Sequence, residues 1–307
     1  MLNDNGQQMV RVSHCPKIIN EFRDKTIAFV GPAPTLLGKG LGKFIDGHDL
    51  VCRASHNLCH EEEKKDYGSR CDVLFHHNGS KTILEYKREF LDIMKVEKPR
   101  IFAPVRMAKR QHKCPWEKQK VFHMDIIQYY SQALLTDPFL KDVYIFHFGN
   151  GLQHTVTDLC QPRPTNCNTG MYALFAMLSM PIKSIFFCGF DFYQGVLGTG
   201  SRQYLPTDPH WDNHILWQKE YNPDWKPEHS EKSQKKELVE TTHHDQIPQI
   251  KLFYWLTEKY KDKIEIWDDV KEVLSMLDKE EAKTHWPKYE FVWDINMMPD
   301  MKYHYDF

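Results

Sequence analysis

Short apolar runs that alternate with helical patterns constrain the fold of this chain more than any other feature. The runs fall at residues 27–30, 50–53, 73–76, 101–104, 143–147, 185–189 and 264–267. Helical patterns, clearest at residues 82–94, 171–180 and 247–260, separate several of them. Strands that are apolar throughout are typical of a parallel sheet that helices cover on both faces. We therefore predict a doubly wound, Rossmann-like α/β domain with a mostly parallel sheet.

The chain of 307 residues is long enough for one large domain of this kind. We place it at residues 25–275, between an amino-terminal extension at 1–24 and a carboxyl-terminal tail at 276–307. Residues 195–240 fit the pattern poorly, because they are rich in Gly, Pro, His, Trp and charge and have weak periodicity. A connection of that length inside a compact domain usually has a function. We predict that it forms a lid over the site.

The composition excludes several classes of protein. A formal net charge of -2 provides no basic field of the kind that nucleic-acid binding needs. The eight cysteines include no C-x-x-C pair, which argues against a zinc knuckle or a thioredoxin-type site. Cys52 and Cys188 lie in apolar runs and are interpreted as small buried residues. No apolar run reaches the length of a membrane span.

Three segments carry the chemistry that can be read from the sequence: residues 26–53, 166–194 and 243–256. Each of the first two couples a strand to a helix through a turn of Gly, Pro, Asn and Thr, which is how an open α/β sheet makes a phosphate-sized pocket. The third puts His243 and His244 at the start of a helix, where a base could face that pocket. The arrangement predicts a nucleotide-dependent transferase.

Other phosphate and metal motifs fit poorly. The glycines of residues 38–42 lie a turn or more beyond the first strand, so they do not form a dinucleotide fingerprint, and no P-loop motif is present. Asp191 is interpreted as a structural residue at a strand end, with a metal ligand as the alternative. The histidines that could bind a metal are scattered, so we predict no metal site; they are His76, His77, His210 and His214.

The three segments resemble the sialylmotifs of animal-type sialyltransferases, glycosyltransferase family 29. The first matches the large motif at Gly31-Pro32-Ala33, Gly40-Leu41-Gly42, Ile45-Asp46 and Asp49 to Arg53. The second matches the small motif, where Thr169 and Gly170 open a helix, and the third matches the very small motif at His244, Asp245 and Gln249. The later part is also similar to the bacterial family 42 enzymes, with their G-x-D-F-Y-Q at Gly189 to Gln194. The resemblance covers about residues 25–270.

The chain departs from the family at three places. The cysteines that form a disulfide between the two long motifs of animal enzymes correspond to Ile27 and about Pro181, which suits a reducing compartment. The asparagine that follows the arginine of the first motif is replaced around Ser55, and Asn57 could substitute for it. The glutamate of the third motif is Gln249, which can cap a helix start but adds no charge.

The resemblance implies an inverting, metal-independent sialyltransferase that moves sialic acid from CMP-sialic acid to a glycan hydroxyl. It implies that His244 is the general base, with Asp245 orienting it or capping the helix, and with His243 as the alternative base. Tyr193 and Tyr204 would stabilise the departing phosphate. Donor binding falls to Gly31, Pro32, Ala33, Arg53, Ser55, Asn78, Asn168, Thr169, Gly170 and His210. For Asn78 a plain turn role is an equal alternative.

Two other functions stay open. One is transfer of another CMP-linked ulosonic acid, which would keep every donor contact; the other is a non-catalytic nucleotide- or glycan-binding module, motivated by the changes at Ser55 and Gln249. The expected partners are a CMP-sugar donor and a glycan acceptor, with no cofactor. We expect a cytoplasmic protein if Met1 is the native start and a Golgi-lumen protein if an amino-terminal anchor was trimmed.

Overall fold

The computed structural model describes residues 8–9, 16–54, 61–76, 98–104, 143–145, 156, 159–160, 167–192, 246–284 and 289–290. The helices are α1 (Pro16–Phe22), α2 (Gly42–Asp46), α3 (Lys64–Tyr67), α4 (Thr169–Leu178), α5 (Gln246–Lys259), α6 (Asp268–Ser275) and α7 (Lys279–Thr284). Short 3-10 helices lie at Pro34–Leu36 and Glu61–Glu63. The strands are β1 (Gln8–Met9), β2 (Thr26–Val30), β3 (Leu50–Ala54), β4 (Val73–His76), β5 (Ile101–Pro104), β6 (Tyr144–Ile145), β7 (Ser184–Cys188), β8 (Ile264–Ile266) and β9 (Tyr289–Glu290).

The main sheet confirms the predicted α/β architecture. Within the described residues it has seven strands in the order β6-β5-β4-β3-β2-β7-β8, and each neighbouring pair is parallel. β1 and β9 form a separate parallel pair. The predicted runs at 73–76 and 101–104 are the observed strands, and the others differ by a residue or two at their ends within the described chain. The predicted helix at 82–94 and the predicted lid at 195–240 lie outside the described residues.

Strand β2 shows why its sequence had to be apolar throughout. Ile27 and Phe29 pack on one face of the sheet, in a large cluster that includes side chains of α1, α4, α5 and α6. Ala28 and Val30 pack on the other face, with side chains of α2 and α3. All four are fully buried, and each face therefore excludes water, as a doubly wound sheet requires.

Side chains on both flanks of residues 25–275 also belong to the main apolar cluster. Ile18 and Phe22 of α1 are fully buried in the main cluster, although they precede residue 25. Leu277 and Ala282, which follow residue 275, belong to the same cluster. The helices that carry Ile18, Phe22 and Ala282, which are α1 and α7, are too short for their apolar spacing to indicate packing from sequence alone.

The amino-terminal end of the sheet, where the strands begin, is held by charged side chains. Asp72 accepts hydrogen bonds from the Val51 amide at 2.8 Å and from Arg70 Nη2 at 2.7 Å. Arg100 lies 3.6 Å from the same carboxylate, and its Nη1 lies 3.4 Å from Glu21. These contacts connect the starts of β3, β4 and β5 to α1.

The sheet order locates the place where a ligand would bind. From β2 the chain adds β3 to β6 on one side and then returns to the other side of β2 with β7 and β8. In open α/β sheets, ligands bind outside the carboxyl ends of the two strands where the order reverses. Here those ends are Val30 of β2 and Cys188 of β7, which are register partners. We call the region beyond them, formed by residues 31–33 and 189–190, the switch crevice.

Candidate functional site

The two turns of the switch crevice touch through a pair of glycines. Gly31 follows β2 and Gly189 follows β7, and a Cβ atom on Gly31 would lie only 2.1 Å from the Gly189 carbonyl oxygen. Gly189 has a φ of +73°, in the left-handed region that residues with a side chain rarely adopt. Both positions therefore need glycine. The first and second sequence segments, which are far apart in the chain, are in direct backbone contact here.

Hydrogen bonds between these turns use the amides of residues 31–33. The Gly31 amide donates to the Cys188 carbonyl at 2.8 Å, and the Ala33 amide donates to the Gly189 carbonyl at 3.0 Å. Pro32 has no N–H. The turn thus has no amide left for an anion, and any contact of Gly31, Pro32 or Ala33 with a CMP-sugar would have to use carbonyl oxygens or packing. Their donor-binding role stays a prediction.

The start of helix α4 differs from this turn in the availability of its amides. Asn168 is its N-cap, and its side-chain Oδ1 accepts a hydrogen bond from the Met171 amide at 2.9 Å. The amides of Thr169 and Gly170 lie in the same first turn, where no intrahelical acceptor exists. Among the residues that the structure describes, none accepts from either amide. With the positive end of the helix dipole behind them, these two amides can bind an anion.

The third segment is joined to the same place. The Asn168 amide donates to Oε1 of Gln249 at 2.8 Å, and Gln249 is fully buried in the first turns of α5. Phe190 of the switch crevice packs against Gly170, because a Cβ on Gly170 would lie 2.6 Å from its ring. The three segments that the sequence singled out therefore meet at one end of the sheet.

The glycine-rich loop after β2 binds a carboxylate of the protein itself. The amides of Gly38 and Gly40 donate to the two oxygens of Asp66, at 2.9 and 2.7 Å. Although burial opposes ionisation, these hydrogen bonds lower the pKa of Asp66 from its ordinary value. The loop is an anion-binding nest whose anion is Asp66, and its role is structural.

Arg53, predicted to bind the donor, is fully buried at the end of β3. Its guanidinium donates to the carbonyls of Arg70, Tyr67 and Gly68 at 2.8, 2.9 and 3.0 Å. The Tyr67 hydroxyl in turn donates to the Ala33 carbonyl at 2.5 Å. Arg53 therefore supports the first turn of the crevice from behind, and a direct donor contact stays a prediction.

Two residues that we considered as metal ligands are buried. Asp191 follows the crevice turn after β7 and is 4% exposed, and His76 ends β4 and is 1% exposed. Within the described ranges, no group of three His, Cys, Asp or Glu side chains could hold a metal ion. His77, His210 and His214 lie outside those ranges.

Several predicted site residues also lie outside the described residues, and their roles stay predictions: His243, His244, Asp245, Tyr193, Tyr204, Asn78, Ser55, Asn57 and His210. Some of them are close in sequence to residues that are described. Tyr193 directly follows Phe192, which is buried against Phe253 of α5, and His244 comes two residues before Gln246, the buried first residue of α5.

One residue at this end of the sheet escaped the sequence analysis. Asp269, in the first turn of α6, is 9% exposed, and its carboxylate contacts Gly189 of the switch crevice and Thr35, two residues beyond the crevice turn that follows β2. Its sequence context, two acids after a strand, is that of an ordinary helix start. The signal that could have indicated it is its position directly after β8, at the end of the sheet where ligands bind.

Neither protein-family models nor curated protein sequences match the chain. Solved structures similar to it include the sialyltransferase CstII from Campylobacter jejuni in complex with cytidine-5'-monophosphate, at 14% identity over 80% of each chain and a TM-score of 0.45. A single-residue variant of CST-II with CMP has 15% identity over 79% of this chain and 80% of that one, with a TM-score of 0.44. The CstII complex with CMP-3FNeuAc has 13% identity over 79% of each and a TM-score of 0.41. Identities and TM-scores this low assign no residue role.

Among the described helices, none is both long enough and apolar enough to cross a membrane.

Proposed function

We propose that the chain is an inverting, metal-independent sialyltransferase that moves sialic acid from CMP-sialic acid to a glycan hydroxyl. Support comes from three segments that resemble sialylmotifs and that meet at one end of the sheet. Gly31 contacts Gly189, and Asn168 of the second segment donates to Gln249 of the third. A resemblance of short motifs far apart in a sequence would not by itself require them to meet.

The anion of the donor binds at the start of α4 in this proposal. The phosphate or the sugar carboxylate accepts from the Thr169 and Gly170 amides, and Asn168 keeps the first turn capped. The cytidine and ribose groups, which donate hydrogen bonds, are the parts of the donor that suit a turn whose remaining backbone groups are carbonyls. Residues 31–33 are such a turn.

His244 is the proposed general base. His244 precedes α5 by two residues in the sequence, and α5 carries Gln249, which accepts from the Asn168 amide. A histidine close to its unperturbed pKa of about 6.5 can accept the acceptor hydroxyl's proton at neutral pH as that oxygen attacks the anomeric carbon. The bond from that carbon to the phosphate oxygen breaks, and CMP leaves.

Tyr193 and Tyr204 are proposed to donate hydrogen bonds to the phosphate as its charge develops. Tyr193 directly follows the buried Phe192 in the sequence, in the segment that comes after β7. Two phenol donors can stabilise a nucleoside monophosphate leaving group in the way that a divalent cation does in other enzymes.

The release of CMP from CMP-sialic acid, with and without a glycan acceptor, tests this function. We expect release that the acceptor accelerates and that a chelator leaves unchanged. Release only from another CMP-linked ulosonic acid would favour that second transferase. CMP binding without release from any donor would favour a non-catalytic module, and restoration of lost activity by Mg²⁺ or Mn²⁺ after chelation would contradict metal independence.

Changes at the paired histidines test the base. His244→Ala should lower the rate of transfer about 10²- to 10⁴-fold and leave CMP affinity almost unchanged, because the donor is held by the first two segments. His243→Ala is the matched control and should keep most of the activity. An inactive His243→Ala beside an active His244→Ala would move the assignment by one residue, and normal transfer by both would contradict a base in this segment.

A further inference from the structure

The buried carboxylate of Asp269 connects the segment that follows β2 to the segment that follows β7. Its Oδ2 atom accepts from the Thr35 hydroxyl at 2.6 Å, in the segment that follows β2, and from the Gly189 amide at 2.9 Å, in the segment that follows β7. Its Oδ1 atom accepts from the Val270 amide at 2.9 Å. One oxygen of one side chain therefore joins the ends of β2 and β7.

Three donors converge on this group, which fits a carboxylate and no neutral analogue. A carboxylate has only acceptors, so it can satisfy the three donors together. An asparagine has one acceptor oxygen, and its amino group would face at least one of those donors. Burial raises the pKa of Asp269 from its ordinary value, against the effect of the hydrogen bonds from Thr35, Gly189 and Val270. The fold thus keeps a carboxyl group where burial disfavours its charge.

The contacts of Asp269 fix the position of Gly189, which affects the surroundings of the proposed anion site at the start of α4. Gly189 is held by Asp269 through its amide and by Ala33 through its carbonyl, which accepts from the Ala33 amide at 3.0 Å. Its φ of +73° turns the chain toward Phe190, and Phe190 packs against Gly170 at the start of α4. A shift of the Gly189 peptide would therefore move the wall beside the Thr169 and Gly170 amides.

We propose that Asp269 is a positioning residue that sets the spacing between the turn after β2 and the turn after β7, and so the geometry in which the CMP group of the donor binds. This inference rests on the proposed function. Thr35 is its partner: the Thr35 hydroxyl carries the link from the Asp269 carboxylate to the first turn.

CMP binding, measured by calorimetry well below the unfolding midpoint, separates positioning from stability. Asp269→Asn and Thr35→Val should each weaken CMP binding about tenfold, as expected for one or two lost hydrogen bonds. Thr35→Ser keeps the hydroxyl and should bind CMP like the wild-type chain. Asp268→Asn is the matched control, because the neighbouring Asp268 side chain is 73% exposed and pairs with Lys271 at 2.9 Å; its CMP affinity should be unchanged.

The opposite outcomes are distinct. Wild-type CMP affinity in Asp269→Asn and Thr35→Val, with a lower free energy of unfolding, would make the link purely structural and overturn this inference alone. Tighter binding by Asp269→Asn would mean that the negative charge repels CMP more than the geometry helps, and would also overturn it. No CMP binding by the wild-type chain would overturn the proposed function and this inference with it.

Discussion

The two ends of the parallel sheet are held together by different kinds of contact. At the amino-terminal end, long charged side chains connect the strand starts: Asp72 binds Arg70 and lies 3.6 Å from Arg100. At the carboxyl-terminal end, backbone meets backbone at Gly31 and Gly189, with no side chain between them. Flexible ion pairs can adjust when one member changes. A backbone contact this close has no flexible side chain that could move to accommodate a substitution.

The difference separates stability from function. The charged contacts of the amino-terminal end satisfy their own groups and need no ligand, since Asp72 accepts hydrogen bonds from Val51 and Arg70 and forms an ion pair with Arg100. The carboxyl-terminal end keeps two amides of α4 without acceptors in the described chain, and it fixes their surroundings with glycines and a buried carboxylate. Changes at the first end should therefore alter stability alone, and changes at the second should alter stability and ligand binding together.

Gly31→Ala should have the largest effect. The new Cβ would lie 2.1 Å from the Gly189 carbonyl oxygen, so the ends of β2 and β7 would have to separate. We expect a loss of about 3 kcal/mol in the free energy of unfolding and a loss of CMP binding. Urea denaturation and calorimetry measure the two.

Gly47→Ala is the matched change at the other end of the sheet. Gly47 follows α2 and has a φ of -75°, which alanine adopts freely, and its added Cβ would lie 3.3 Å from the Phe44 carbonyl oxygen. Its free energy of unfolding should change by no more than about 1 kcal/mol. Equal losses for Gly31→Ala and Gly47→Ala would contradict the special rigidity of the carboxyl-terminal end.

The sequence predicted the strands well because their burial on two faces leaves a local signal. The run at 73–76 is strand β4 itself, and Val73, Leu74 and Phe75 are each fully buried. Asp269 left no such signal, because its contacts with Thr35 and Gly189 span 234 and 80 residues of chain. A hydrogen bond between residues so far apart in the chain leaves no local sequence pattern, because its partners meet only in the folded sheet.

The turn after β2 could also be predicted only in part from the sequence. Its Gly-Pro-Ala pattern indicated a phosphate-sized turn, and the structure puts that turn at the switch crevice. The pattern could not show that carbonyls of Cys188 and Gly189, on the adjacent strand, accept from its amides. Which amides of this turn stay available is therefore decided by the neighbouring strand, whereas the Thr169 and Gly170 amides of α4 have no acceptor among the described residues.

Asp72→Ala should have the next largest effect, confined to stability. The Val51 amide and the Arg70 guanidinium would lose an acceptor that is only 14% exposed, and Arg100 would lose a nearby charge. We expect a loss of about 2 kcal/mol in the free energy of unfolding, with CMP affinity unchanged. Asp268→Ala removes an exposed pair and should cost less than about 1 kcal/mol. Weaker CMP binding by Asp72→Ala would break the separation between the two ends.

Gln249→Leu should have a smaller effect that reaches both properties. Leucine fills a similar volume but leaves the Asn168 amide without its acceptor, which costs about 1 to 2 kcal/mol of stability. CMP affinity should fall with it, because Asn168 caps the turn that carries the Thr169 and Gly170 amides. Gln249→Glu keeps an acceptor oxygen at that place and should bind CMP more tightly than Gln249→Leu. Identical CMP affinities for the two variants would disconnect the third segment from the donor site.

Thr26→Val should have the smallest effect, and pH should reveal it. Hydrogen bonds from the Thr26 amide and then from its hydroxyl lower the pKa of Asp49 from its ordinary value of 3.8. Ionised Asp49 therefore stabilises the fold above that value, and the contribution disappears as the pH falls through the lowered pKa. Valine keeps the amide but not the hydroxyl. The variant should thus be less stable by about 0.5 kcal/mol or less at neutral pH, since solvent screens this exposed group, and the deficit should shrink below pH 3.8.

Thr26→Ser, which keeps the hydroxyl, should match the wild-type pH dependence. Urea denaturation from pH 7 to pH 3 measures the trend; a deficit that grows as the pH falls would contradict the link, and weaker CMP binding at neutral pH would show that this end of the sheet also serves the site.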